Sequence, residues 1–138
     1  MDHQQVDRWL AAYVDAWKTY DRDDIGALFS EDVRCWYHPY DDPVVGREAV
    51  LESWFGEKQD PLGTYDAEYH CLVAEGDAAV SRGRSRYFKP DGSVELEYDN
   101  IFFLRFDGDG RCSEFREWYM GPRGRPESND VPSAKPLP

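Results

Sequence analysis

Two long alternating runs dominate the hydrophobic pattern, and one polar turn separates them. In Val94 to Phe106, the residues Leu96, Tyr98, Asn100, Phe102, Leu104 and Phe106 share one face. In the second run Phe115, Glu117 and Tyr119 share a face, with Glu114, Arg116 and Trp118 opposite. Successive side chains of a strand point to opposite sides, so a period of two predicts two strands. The turn Asp107-Gly108-Asp109-Gly110 joins them as a hairpin. Glu117 is then an acid among aromatic rings on one face of a sheet.

Upstream the period changes. Val6, Trp9, Leu10, Tyr13, Val14 and Trp17 recur at steps of three and four, which predicts a helix capped by Asp2. Asp7 suits that helix's first turn. A second, short helix is expected over 24–29 with Asp23 as its cap, then a strand over 33–37. Pro39 and Pro43 mark an irregular loop, Arg47 to Phe55 a third helix, and 56–63 a polar loop. Tyr65 to Ala74 alternates, with Ala67, Tyr69, Cys71 and Val73 on its more apolar side, and Ala78 to Phe88 follows as another strand. Lys89-Pro90-Asp91-Gly92-Ser93 reads as a hairpin loop. Helices placed first and long antiparallel strands last predict an α+β fold. Its three N-terminal helices lie on one face of a curved antiparallel sheet, leaving a cone with an open mouth. Residues 1–120 form this domain. Residues 121–138, which hold five of the nine prolines and no periodic apolar pattern, read as a flexible tail.

Composition narrows the partners. A chain of 138 residues with 41% hydrophobic and 15% aromatic content has enough for one sizeable core. The net charge of −12 argues against nucleic acid and anionic membrane, since both need a basic surface. Cys35, Cys71 and Cys112 form no metal spacing, and with no signal sequence or transmembrane run they read as reduced, buried thiols of a cytoplasmic protein. No metal motif or phosphate-cradling glycine loop is present, so no cofactor is expected.

The order of elements and the pieces LFSEDV (28–33), PVVGREAV (43–50), LRFDGDGR (104–111) and EFREWY (114–119) resemble the nuclear-transport-factor-2-like superfamily. Within it the chain is similar to the SnoaL-like, polyketide cyclase-like group. The resemblance implies a conical pocket lined by the concave sheet face, and a homodimer formed through the convex face. It does not fix a reaction, because one fold hosts many. In the ketosteroid isomerase branch, which general treatments of catalysis use as a worked case, the oxyanion tyrosine corresponds to Tyr13. The base position falls on Tyr37, beside His38, and the second carboxyl position on Phe102, so that machinery is largely missing. In the SnoaL-like cyclases the acid/base carboxylate corresponds to Glu117.

The residues themselves point the same way. Glu117 among rings should resist ionisation, which suits general acid or base work. Arg82, Arg84 and Arg86 share one face of their strand. If Lys89 pairs with Ser93, Arg84 lies opposite Tyr98 and Arg82 opposite Asn100, inside the cone; a slip of one residue puts all three in solvent. Inward arginines would orient an anionic or enolate-like ligand. His38 is expected at the mouth as a proton shuttle or a plain loop residue. The catalytic candidates are therefore Glu117, Tyr13, His38 and Arg84. Candidate walls for a small-molecule ligand are Trp17, Tyr37, Trp54, Tyr69, Arg82, Tyr98, Asn100, Phe102, Phe115 and Tyr119. Ile101, Phe103 and Trp118 lie on the convex face as a dimer surface. Two functions stay open: a cofactor-independent enzyme on a carbonyl-bearing molecule, and a non-catalytic binder or dimeric interaction module on the same fold.

Overall fold

A computed structural model describes residues 1–55 and 65–123. The loop expected at 56–63, and most of the tail expected from 121, lie outside the described residues. In chain order the elements are α1 (His3–Thr19), α2 (Arg22–Gly26), β1 (Phe29–Trp36), β2 (Val44–Val45), α3 (Arg47–Trp54), β3 (Tyr65–Glu75), β4 (Ala78–Phe88), β5 (Val94–Phe106) and β6 (Cys112–Met120). The strands form one six-stranded sheet in the order β2-β1-β6-β5-β4-β3. Neighbours run antiparallel except β1 and β6, which run parallel. The three helices pack on one side of this curved, unclosed sheet, as the pattern predicts.

Helix α1 is held at both ends. Asp2 and Gln5 form a reciprocal capping box, a device that contributes about 1 kcal/mol. Tyr20 ends the helix in the left-handed region at φ 56, and its hydroxyl donates to the Trp54 carbonyl at the end of α3. Asp7 does more than favour the helix dipole, because its carboxylate accepts the Cys71 N–H of β3 at 2.8 Å. That contact ties helix to sheet at an irregular point of the strand.

The second helix starts and stops earlier than its periodicity implies. Asp21, not Asp23, is the cap, accepting from the N–H groups of Asp23 and Asp24. Phe29 has left the helix and begins β1, paired with Cys112. The Cys112 N–H donates to the Leu28 carbonyl at 2.8 Å. A parallel partner far along the chain therefore claims residues that local spacing assigns to a helix.

Two bulges set which residues face the helices. In β3 the pairing steps from Cys71↔Ser81 to Val73↔Val80, so the extra residue turns Val73 outward to 58% exposure. In β5 the Lys89 N–H does meet the Ser93 carbonyl, and Phe88 pairs with Val94. The next pair is Tyr87↔Leu96, which leaves Glu95 as an extra residue. From there the register is moved by one: Arg84 pairs with Asp99 and Arg82 with Ile101, while Gly83 meets Asn100 and Ser85 meets Tyr98. One inserted residue exchanges the two faces of a strand relative to its partner. The inward-facing residues of β4 are thus Ser81, Gly83 and Ser85, and the arginines are outside.

The core is a continuous aromatic cluster. Trp9, Tyr13, Phe29, Trp54, Phe102 and Phe115 are each at most 6% exposed. Tyr13 stacks on Phe115 with centroids 5.6 Å apart and meets Phe102 edge-on at 5.5 Å. Gly83 is small for a reason: a Cβ there would collide with the Glu68 carbonyl and the Tyr69 ring, which lies across it. All three cysteines are buried free thiols. No helix among the described residues is long and apolar enough to cross a membrane.

Candidate functional site

Strand β6 carries Glu117 directly opposite Phe102 of β5, on the side facing the helices. Its side chain is 1% exposed. One carboxyl oxygen, Oε2, accepts from Asn100 Nδ2 at 2.9 Å. Asn100 is itself oriented, because the Ser85 hydroxyl donates to its Oδ1 at 3.1 Å. The other oxygen, Oε1, is buried and has no hydrogen-bond partner among the described residues. Three strands thus supply a short buried relay, Ser85–Asn100–Glu117, that ends in one uncommitted oxygen.

The electrostatics follow from this setting. Burial pushes the Glu117 carboxyl well above the ordinary carboxylate range, and the Asn100 N–H opposes this only in part. Among the described residues no arginine or lysine pairs with it. In its protonated form such a carboxyl has one O–H to donate. With Oε2 accepting from Asn100, that proton belongs on Oε1.

Tyrosines surround the acid. Burial raises the Tyr13 and Tyr69 hydroxyls well above their ordinary value, and the nearby Glu117 charge adds to it. Tyr87 and Tyr119 also feel Glu117, with burial again the larger cause. These phenols therefore stay as neutral donors. Tyr98 stacks edge-on against Tyr119 at 5.1 Å. Trp17 and Trp54 pack with centroids 3.7 Å apart beside Tyr13. Phe102 lies against Tyr69 at 4.7 Å and Phe115 at 4.9 Å.

Most residues singled out from sequence converge here, namely Glu117, Tyr13, Trp17, Trp54, Tyr69, Tyr98, Asn100, Phe102, Phe115 and Tyr119. Four others are placed differently. Tyr37 is inward, 6.4 Å from Phe115, but its hydroxyl is committed to Ser53 at 3.1 Å. Ser53 already donates to Val50, so Tyr37 is the donor and does not serve as a base. His38 lies in the loop after β1, with Nδ1 accepting the Tyr40 N–H at 3.3 Å and its ring against Tyr40. Arg82 and Arg84, expected inside, are exposed on the convex face and both bind Asp99, at 2.7 and 3.3 Å. The Glu95 bulge is the cause.

Ser85 is the member of this relay that the sequence pattern missed. Its signal was available in the alternation Ser81-Gly83-Ser85 against Arg82-Arg84-Arg86. Long cations are seldom buried, so the small residues were the ones with reason to face in. Among the described residues no three His, Cys, Asp or Glu side chains gather as a metal site.

Comparison with known proteins agrees with this architecture. The model of the SnoaL-like domain matches residues 10–115. No curated protein matches the chain by sequence. Among solved structures, a Kribbella flavida protein assigned as a ketosteroid isomerase superposes with a TM-score of 0.60 at 20% identity, over 91% of this chain and 87% of that one. An NTF-2-like protein of unknown function from Burkholderia xenovorans superposes with a TM-score of 0.64 at 13% identity, over 92% and 94%. At such identities the structures show a shared fold alone. The family match spans most of the domain, from α1 to β6, and the chain belongs to the SnoaL-like domain family.

Proposed function

We propose that the protein is a cofactor-independent enzyme acting on a small, partly apolar carbonyl compound bound in the cone. The observation that carries this reading is Glu117: a fully buried carboxyl with one oxygen fixed by Asn100 and the other uncommitted. A structural acid would be neutralised by a cation or have both oxygens satisfied. In the proposed role the Oε1 proton goes to the substrate oxygen as negative charge develops there, and the resulting carboxylate later takes a proton back. Tyr13 and Tyr69, as neutral phenols near Glu117, supply further hydrogen bonds to that oxygen. The carbonyl chemistry open to such a group is cyclisation, isomerisation, dehydration or hydrolysis.

The test is turnover of a panel of aromatic polyketides and small carbonyl compounds by wild type and Glu117→Gln. Glutamine keeps the shape and the Asn100 bond but cannot cycle a proton. We expect turnover to fall by about a hundredfold or more, the usual scale of general acid–base catalysis. Equal rates would remove Glu117 from the mechanism.

The convex face is proposed as the homodimer surface. Ile101 and Trp118 are direct cross-strand partners there, and Trp118 is 43% exposed. They line a groove of about 630 Å³ with Met120 and Pro122. The groove also presents Arg84 beside Glu97 and Asp99, a mixed-sign patch that a two-fold copy can complement with its own. Sedimentation should show a dimer for wild type and a shift toward monomer for Trp118→Asp. A wild-type monomer at all concentrations would refute this surface.

A further inference from the structure

The interior around Glu117 is rich in neutral hydrogen-bond donors. The hydroxyls of Tyr87 and Ser81 are buried without a hydrogen bond among the described residues, as are the indole nitrogens of Trp17 and Trp54, while the Tyr65 and Tyr69 hydroxyls lie close enough to act on each other. An indole N–H can only donate. Trp17 points at the Tyr13 oxygen and Trp54 at the Tyr37 oxygen, close enough to favour negative charge on each, yet neither closes a hydrogen bond. Unsatisfied buried donors cost stability, and they become useful when a ligand brings acceptors.

Among the described residues, the ion-paired cations lie elsewhere. Arg82 and Arg84 are held by Asp99, and Arg86 by Glu97. Arg34, Arg105 and Arg116 converge on Glu114. Lys18 pairs with Asp66, and an Arg47 nitrogen donates to the Phe29 carbonyl. Among the described residues the buried polar side chains are Ser30, Ser81, Ser85, Asn100 and Glu117, and none is a cation. An ionised ligand entering here would give up its hydration and gain no counter-charge. It would also approach an acid whose own ionisation the same dry interior resists.

We infer that the site selects uncharged ligands whose acceptor oxygens face these donors, such as ketones, esters and lactones, and rejects free carboxylates and phosphates. The selection is made by the lack of a cation among the buried described residues together with the surplus of donors, so it is a property of binding and precedes any chemistry. The inference rests on reading the Glu117 neighbourhood as a ligand site, and it reverses the anionic ligand that inward arginines would have implied.

The experiment is a titration of matched aromatic pairs at pH 7, read by the fluorescence of the buried tryptophans and by calorimetry. Acetophenone is set against benzoate, 2-acetylnaphthalene against 2-naphthoate, and the three-ring pair likewise, so size is held while charge changes. The neutral member of the best-fitting pair should bind at least about tenfold tighter, which corresponds to about 1.4 kcal/mol. Affinities within threefold, a tighter carboxylate, or no binding of any neutral member would each overturn the inference. Glu117→Gln, neutral and of the same shape, should keep the preference to within threefold even though it loses turnover. A Glu117→Gln variant that keeps turnover but also keeps the preference would remove Glu117 from the mechanism and leave the binding inference standing. Loss of the preference alone would do the reverse.

Discussion

Glu114 and Glu117 sit three residues apart on β6, and the sheet gives them opposite lives. Glu114 lies on the convex side at 12% side-chain exposure, with Arg116 at 2.6 Å, Arg105 at 3.4 Å and Arg34 at 3.8 Å. The same arginines cover aromatic faces, Arg116 over Trp36 at 3.6 Å and Arg105 over Phe103 at 5.2 Å. Glu117 lies on the concave side with a single amide donor and rings around it. Both acids are largely withdrawn from water. Only one is withdrawn without a counter-charge. A carboxylate neutralised by three guanidinium groups is a brace between strands, whereas a carboxyl given neutral neighbours becomes a proton donor. Burial alone does not make an acid functional; the sign of its neighbours decides.

The pair of amide substitutions should separate these roles most sharply. Glu117→Gln is expected to lose turnover by about a hundredfold while folding normally, because the Asn100 bond survives. Glu114→Gln is expected to keep turnover and lose about 1 kcal/mol of stability in urea unfolding, a modest figure because its arginine partners are more than a third exposed. If Glu114→Gln were the catalytically dead variant, the assignment of the two faces would be wrong.

The contrast was only half legible in the chain. Period two placed Glu117 with Phe115 and Tyr119 correctly, because β6 and β5 pair without a shift from Arg105↔Glu114 to Asp99↔Met120. The helix face of α1, with Tyr13 and Trp17 buried, and the Asp2 cap were equally readable, since both depend on neighbours within a few residues. The two bulges were not. Glu95 and Leu72 carry no proline or glycine to announce an extra residue, and the twist they impose depends on how each strand pairs with its neighbour rather than on the residues beside them. β1 escaped for a related reason: its first residue is held by β6, over 80 positions later. Side-chain parity survives a local rule only as far as the first unannounced bulge.

The neutral state of Glu117 also has a signature in stability. Its folded-state carboxyl titrates well above the value of about 4.3 of an exposed glutamate. Between those two values the folded chain holds a proton that the unfolded chain has released. The stabilisation is thus complete below about pH 4 and is lost as pH rises through the folded value. Each unit of that window is worth up to about 1.4 kcal/mol. Glu117→Gln has nothing to titrate, so its stability relative to wild type should grow from pH 5 to pH 8, measured by urea unfolding across the range. Parallel curves for the two proteins would mean that Glu117 enters the fold ionised, and the proton-donor reading would fall with it.

The smallest expected effect concerns a residue that sequence placed among the catalytic candidates. Arg84 was expected to face the ligand, and the Glu95 bulge carries it to the convex side, where it shares Asp99 with Arg82. Arg84→Ala should therefore leave turnover within about twofold. It should change stability by about 0.5 kcal/mol or less, as an exposed pair with a second arginine in reserve allows. It should also leave the preference for neutral ligands unchanged, because the cation it removes was never inside. A hundredfold loss of turnover in Arg84→Ala would instead place its guanidinium against the ligand, and the two faces of β4 would have to be exchanged. Three features argue against that exchange: Ser85 bonded to Asn100, Gly83 lying under the Tyr69 ring, and Ser81 fully buried. Each would then be turned to solvent, and Asn100 would lose the hydroxyl that aims it at Glu117.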